Sequence, residues 1–348
     1  MVTRDFAVRR DKILGLIINS YISTAVPIAS RTISRKLRLN LSSATIRNIM
    51  SDLEEMGMIM HPHTSAGRIP TQKGYRYYIN KLMQAELLNE EEKRRINKEY
   101  KNRINELDNV LDKTSDLLSS LTHQTGIVLF PLLQKSYFKK VQLIKVDEYR
   151  ILMVLLSESG FTNDILIDTD GDIDQAELLR IANFINSHIN KGSLLAIRRE
   201  LMQRLIVERD SFFYVLERAK AIIDVMLDIV KENKVYLNGR AHIAAHPEFH
   251  DADKLQGLFN RLEDKDFLFS LLKKDMDEEG VHIYIGSEVD DELSDCSLIT
   301  CNYCVGDTSC GTLGIIGPTR MEYGKMVAMV EYVASSLSRT LSSERSRI

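Results

Sequence analysis

SSATIRNIMSDLEEMGMIMHPHTSAGRIPTQKGYRYY, residues 42–78, is the stretch on which the fold turns. Ser42 is a natural helix N-cap. Behind it, Ile46, Ile49, Met50, Leu53 and Met56 recur at helical spacing on one stripe. The opposite face carries Ala44, Asn48 and Ser51, with Arg47 on its flank, and Gly57 suits the helix C-terminus. MIMH, a tip PHTSAG and then RIPT read as a β-hairpin, after which Thr71 caps a helix holding Tyr75, Arg76, Tyr77 and Tyr78. That order reads as a recognition helix followed by a β-wing, the DNA-reading half of a winged helix-turn-helix.

The residues upstream complete the module. Ile13, Leu14, Ile17, Ile18 and Tyr21 give a first helix over 6–22, and TAVPIAS breaks it. Ser30 is placed to cap a short second helix, SRTISRKL, whose Ile33 and Leu37 lie four apart, and the turn RLNL leads into the third. A helix entering the major groove meets phosphates at close range, where carboxylates would be repelled. Positions 42–51 contain none, and Asp52, Glu54 and Glu55 come only later. Ser42, Ser43, Ala44, Arg47, Asn48 and Ser51 are therefore the expected groove-facing set. Arginine can pair bidentately with guanine, asparagine with adenine, and an alanine methyl suits a thymine methyl. His61, His63, Thr64, Ser65 and Arg68 on the hairpin are the expected phosphate and minor-groove contacts, with no acid among them. The alternative for the third helix is a solvated face in an ordinary three-helix bundle, and two of the tyrosines after Thr71 are expected to pack under the wing.

Charge divides the chain at the same place. Residues 1–84 hold thirteen Lys and Arg against five Asp and Glu, a net of +8; the rest holds 33 against 44, a net of −11. A basic head on an acidic body suits a phosphate-binding module carried by a regulatory domain. The longest aliphatic run, Ile151–Leu156, is far short of a membrane span, and MVTRDFAVRR lacks a signal-peptide core, so a cytoplasmic protein is expected.

Residues 86–121 read as a long charged helix. Tyr100, Ile104, Leu107, Leu111, Thr114, Leu118 and Leu121 step along it as a heptad-like seam, either a dimerisation or relay contact or packing within one domain. Strand patterns follow at TGIVLFP, FKKVQLIKVD, YRILMVLLSE and FTNDILID. A helix opens at Asp174, with Glu177 three residues on, and runs to about His188. A second strand-rich region over 281–316 precedes a final helix, capped by Thr319 and Glu322 and running to about Leu341. Strands, helices, then strands again indicate an α+β multidomain chain.

Rival chemistries are thin. Cys296-x4-Cys301-x2-Cys304 has the plant-type ferredoxin spacing, with Cys310 as a possible fourth ligand, but Cys301 and Cys304 on one strand would point to opposite faces. Their other reading is as small buried hydrophobes. His61-x-His63 lacks a third ligand nearby, and Pro247 interrupts any helix through His242, His246 and His250. Gly311, Gly314 and Gly317 lack a phosphate loop's spacing, and no hydrolase, zinc-protease or P-loop motif occurs. No catalytic residue, metal or cofactor is expected.

The quoted residues also carry a family resemblance. VPIASRTISRKLRLNLSSATIRNIMSDLEEMG followed by HPHTSAGRIPTQKGYRYY resembles the N-terminal domain of the HrcA-type heat-inducible transcription repressors of bacteria. FKKVQLI, HPEF, DCSLIT and LGIIGPTRMEY resemble its C-terminal region, so the likeness covers nearly the whole chain. Ala29 stands where that family usually has Gly, and Ile49 where an acid is common. The resemblance implies a winged helix-turn-helix at 1–84 and a linker helix at 85–122. It implies a GAF-like domain at 123–205 and 281–348, interrupted by a mostly helical dimerisation insert at 206–280. It further implies a homodimeric repressor of chaperone operons on an inverted-repeat, CIRCE-like operator, kept active by a GroEL-type chaperonin and relieved when heat stress diverts that chaperonin. The alternative is a winged-helix repressor responsive to a ligand in the GAF-like body or to redox change at the four cysteines.

Overall fold

In the computed structural model, the described residues are 2–36, 42–62, 67–100, 107–131, 138–157, 162–189, 198–200, 202–203, 213–231, 234–276, 278–305 and 309–343. Helix α1 (Val2–Thr24) buries Ile13, Leu14, Ile17 and Ile18 completely. It ends at Ala25, whose φ of 55° reverses the chain before Pro27. Helix α2 (Ser30–Lys36) sets Ile33 into the same core. Ser30, the expected cap, is instead its first residue, and the opening carbonyl acceptor is that of Ala29.

Helix α3 (Ser43–Glu55) is capped as its sequence requires, Ser42 Oγ accepting the Thr45 N–H at 3.1 Å. At its far end the Met58 N–H reaches Leu53 O and the Gly57 N–H reaches Glu54 O, at 2.9 and 2.8 Å. That pairing is a Schellman ending, with buried Leu53 and Met58 as its hydrophobic contact. Strands β1 (Ile59–Met60) and β2 (Ile69–Pro70) pair antiparallel. Just before β2, Arg68 exchanges two 2.9 Å backbone hydrogen bonds with Ile28. Thr71 caps helix α4 (Gln72–Tyr77), which continues as a π-helical turn over Tyr78–Leu82.

The linker is not one continuous helix. Helix α5 (Glu90–Glu99) starts at an Asn89–Glu92 capping box, and helix α6 (Leu107–Thr122) follows. Leu107, Leu111, Thr114 and Leu118 of the heptad-like seam are buried inside their own chain, and Tyr100 Oη lies 3.0 Å from Thr114 Oγ1. The seam is intramolecular packing; its Ile104 lies outside the described residues.

Beneath α6 is a five-stranded antiparallel sheet in the order β7-β3-β10-β9-β8. Its strands are β3 (Thr125–Leu129), β7 (Val235–Asn238), β8 (Val281–Ile285), β9 (Cys296–Val305) and β10 (Ser309–Pro318). One face packs under α6 and the terminal helix Tyr323–Ser343. The other face, with Ile127, Leu129, Leu298 and Ile316, is covered by residues of the segment 240–273 such as Ile243, Leu258, Leu262 and Leu271. The three-helix head shares one continuous apolar core with the first of these faces.

A second sheet stands apart, in the order β4-β5-β6: β4 (Phe138–Lys145), β5 (Arg150–Ser157) and β6 (Thr162–Asp168). Its inner residues Val141, Leu143, Ile151, Met153 and Leu155 pack on helices α7 (Gln175–Ile189) and α8 (Phe213–Lys231) in a separate core. This corrects the expected insert at 206–280. Among the described residues, the unit with its own core lies within 138–231 and contains three strands, whereas β7 and the helices after it belong to the larger sheet. The physical reason is nonlocal pairing: β4 follows β3 in sequence, but among the described residues β3 is flanked by β7 and β10.

Candidate nucleic-acid interface

The stripe Ile46, Ile49, Met50 and Leu53 locks α3 into the head core, and that fixes which side remains outward. Ser42, Ser43, Ala44, Arg47, Asn48 and Ser51 are all exposed, as the three- and four-residue steps between them require. The first turn has no acid. The positive end of the helix dipole emerges beside Ser43 and Ala44, which favours an anion there.

The hairpin residues divide. His63, Thr64 and Ser65 lie outside the described residues. His61 and Arg68 are brought together at the mouth of the hairpin, with Arg68 Nη1 2.9 Å from His61 Nδ1. Arg68 Nη2 also forms a 2.8 Å ion pair with Glu54. Gly67, at the base of the hairpin, has no room for a side chain, since a Cβ would stand 2.6 Å from the Ile28 backbone.

The residues after Thr71 face inward, onto α1 and the body. Tyr75 is buried, and its ring centre lies 6.0 Å from that of Tyr323. Tyr77 donates to Asp11 at 3.0 Å and Tyr78 to Asn19 at 2.8 Å. Arg76 holds Glu288 through Nε at 3.1 Å and donates to Ile283 O at 2.7 Å.

A second strut is Arg320, which donates to Ile22 O of α1 at 2.7 Å and to Glu248 Oε1 at 2.7 Å. Burial alone would raise the Glu248 carboxyl, but the Arg320 hydrogen bond and charge outweigh it and leave the pKa below the ordinary carboxylate value. A depressed folded-state pKa contributes stability above the unfolded value, and that stability is lost as pH falls through the folded one. Arg320→Met should therefore destabilise the chain by about 2 kcal/mol at neutral pH. Denaturant titrations across the acid range should also show a shallower acid loss than wild type. Nothing in the sequence signalled this pair, because Arg320 of GPTRMEY and Glu248 of HPEF are 72 residues apart.

The cysteines do not converge. Cys296 and Cys301 lie on opposite faces of β9 in different cores, and burial pushes their thiols up to about 12 and about 11. Cys304 and Cys310 sit opposite each other in the β9–β10 register and form a disulfide. No group of three or more His, Cys, Asp or Glu suited to a metal occurs among the described residues. No helix among them is long and apolar enough to cross a membrane.

Similarity to known proteins settles the family. The family model described as the HrcA protein C terminal domain matches residues 108–327. The heat-inducible transcription repressor HrcA of Desulforamulus reducens is 39% identical over 334 residues, covering 96% of each chain. That of Pelotomaculum thermopropionicum is 38% identical over the same length and coverage. The chain belongs to the HrcA family. HrcA proteins are transcription repressors and not enzymes. A crystal structure of a hypothetical protein, 23% identical, superposes with a TM-score of 0.62 over 96% of this HrcA chain and 98% of the other, a likeness of fold alone.

Proposed function

We propose that this HrcA-family chain is a cytoplasmic homodimeric repressor of chaperone operons whose winged helix-turn-helix heads, residues 1–84, bind a CIRCE-like inverted repeat. The observation that carries this is the outward side of α3. Six exposed residues, Ser42, Ser43, Ala44, Arg47, Asn48 and Ser51, form an acid-free face backed by a buried stripe. Arg47 and Asn48 read bases, the serines and Ala44 fit the groove, and His61, His63, Thr64, Ser65 and Arg68 belong to the wing. The five-stranded α+β body is read as GAF-like. Two-fold pairing rests on the face of the three-stranded sheet that no described residue covers, where Ile144 and Leu166 are 44% and 50% exposed beside Leu152. Release through titration of a GroEL-type chaperonin rests on the family resemblance and on the heat-inducible relatives.

Arg47→Ala should cost about 1–3 kcal/mol on the inverted repeat and little on random duplex. Gel shifts on both duplexes check this, and equal losses would reduce Arg47 to a positioning contact. Adding chaperonin should strengthen the specific shift.

One observation favours a second reading, a ligand-responsive repressor. A cleft of about 900 Å³ opens between α1, the segment 78–86 and residues 322–324, lined by Lys12, Asn19, Tyr78 and Glu86 among others. Release of the operator by a small metabolite, with chaperonin having no effect, would select it.

A further inference from the structure

Arg68 is a cation on the proposed wing, and a phosphate contact is the obvious role for it. Its surroundings argue otherwise. Nη2 is paired with Glu54 Oε2 at 2.8 Å, Nη1 lies 2.9 Å from His61 Nδ1, and Nε is buried with no hydrogen-bond partner among the described residues. A guanidinium only donates, so His61 Nδ1 accepts. The other ring nitrogen, Nε2, lies 3.8 Å from Glu54 Oε1, beyond hydrogen-bond reach. The one guanidinium thus bridges a carboxylate and an imidazole.

The three residues come from three elements. Glu54 is in the last turn of α3, His61 follows β1, and Arg68 precedes β2 while its backbone is bridged to Ile28. The bridge therefore spans the mouth of the hairpin, joining residues on both sides of its tip in sequence. Resting on the DNA-binding reading above, we infer that Glu54 is a positioning residue. It holds Arg68, and through Arg68 His61, so that the wing keeps a set angle to the groove-facing side of α3, and Arg68 acts through this clamp and not on phosphate. An acid at this point would otherwise be a poor choice in a DNA-binding head. Paired with Arg68, it presents no free negative charge to the backbone of the duplex.

The two roles make opposite predictions. A phosphate-contacting Arg68 would be released by Glu54→Gln, so binding would hold or tighten. Arg68→Gln would then lower the slope of log Kd against log salt by about one unit. A clamp predicts that Glu54→Gln and Arg68→Gln each weaken operator binding about three- to tenfold, and that the double variant is no worse than the weaker single. The salt slopes should all match wild type. Arg68→Lys keeps the charge but cannot bridge both partners, so it should lose nearly as much as Arg68→Gln.

The experiment is fluorescence anisotropy of full-length wild type and the four variants on a duplex carrying the inverted repeat, at several salt concentrations, each variant first checked for a native thermal transition. Non-additive losses at constant slope, with Arg68→Lys defective, are expected. Wild-type affinity in Glu54→Gln, near-normal binding by Arg68→Lys, or a slope reduced in Arg68→Gln would overturn the clamp while leaving the DNA reading intact. Failure of wild type itself to prefer the repeat over a scrambled duplex would remove the DNA reading, and the clamp's role with it.

Discussion

Replacing Gly74 with alanine should lower the unfolding free energy by about 2–4 kcal/mol, combining overpacking with a lost backbone hydrogen bond. The added Cβ would stand 2.1 Å from Met58 O, an atom of the backbone that no rotamer change can move. Met58 O also accepts the Thr71 N–H at 3.1 Å, so relieving the clash means parting α4 from the chain after α3. Thr71 ties the same seam once more, its Oγ1 donating to Gly57 O at 2.6 Å while it caps α4 by accepting the Gly74 N–H. Because the head shares its core with the body through Tyr75 and Tyr323, the loss should appear as a lower midpoint of the main thermal transition. An alanine variant with an unchanged midpoint would mean that α4 does not seat against Met58 this closely.

Ala44→Glu should have the reverse profile, with binding lost and folding untouched. Ala44 is exposed in the first turn of α3, where a carboxylate is favoured by the helix dipole, so thermal stability should hold or rise slightly. On DNA the same carboxylate would face phosphate at the closest approach of the helix, and like-charge contact of this kind costs several kcal/mol. We expect at least a hundredfold weaker binding to the inverted repeat, about 3 kcal/mol or more. The opposite directions of stability and affinity are the informative part. A glutamate variant that binds DNA normally would place the nucleic acid on some other face.

What could be read from the sequence depended on how far apart the cooperating residues lie. The boundaries of α3 are written in Ser42, Gly57 and the stripe between them, all within one local segment, and its outward face follows from periodicity alone. The motif glycines were recognisable as family features, but their reason was not. Gly67 meets Ile28 and Gly74 meets Met58, approaches that only the folded head creates. Likewise Arg68 read as a free cation, because its partner Glu54 lies fourteen residues away across the hairpin mouth. The insert was misplaced for the same reason. Its strands have clear period-two patterns, yet which sheet a strand joins is decided by partners far along the chain, as β3 shows by pairing with β7 and β10. The heptad-like seam on α6 was ambiguous because a coiled coil and a buried amphipathic helix use one spacing, and only packing against the sheet distinguishes them.

Reading of DNA by the outward side of α3 is tested most directly by titrating the full-length chain against an inverted-repeat duplex and a scrambled duplex of equal length, with wild type beside Arg47→Ala and Asn48→Ala. Two chains per specific duplex are expected, with a preference of at least about a thousandfold over the scrambled one. Each variant should lose most of that preference while keeping its affinity for scrambled DNA. Equal affinity for the two duplexes, or a preference that survives both substitutions unchanged, would contradict it.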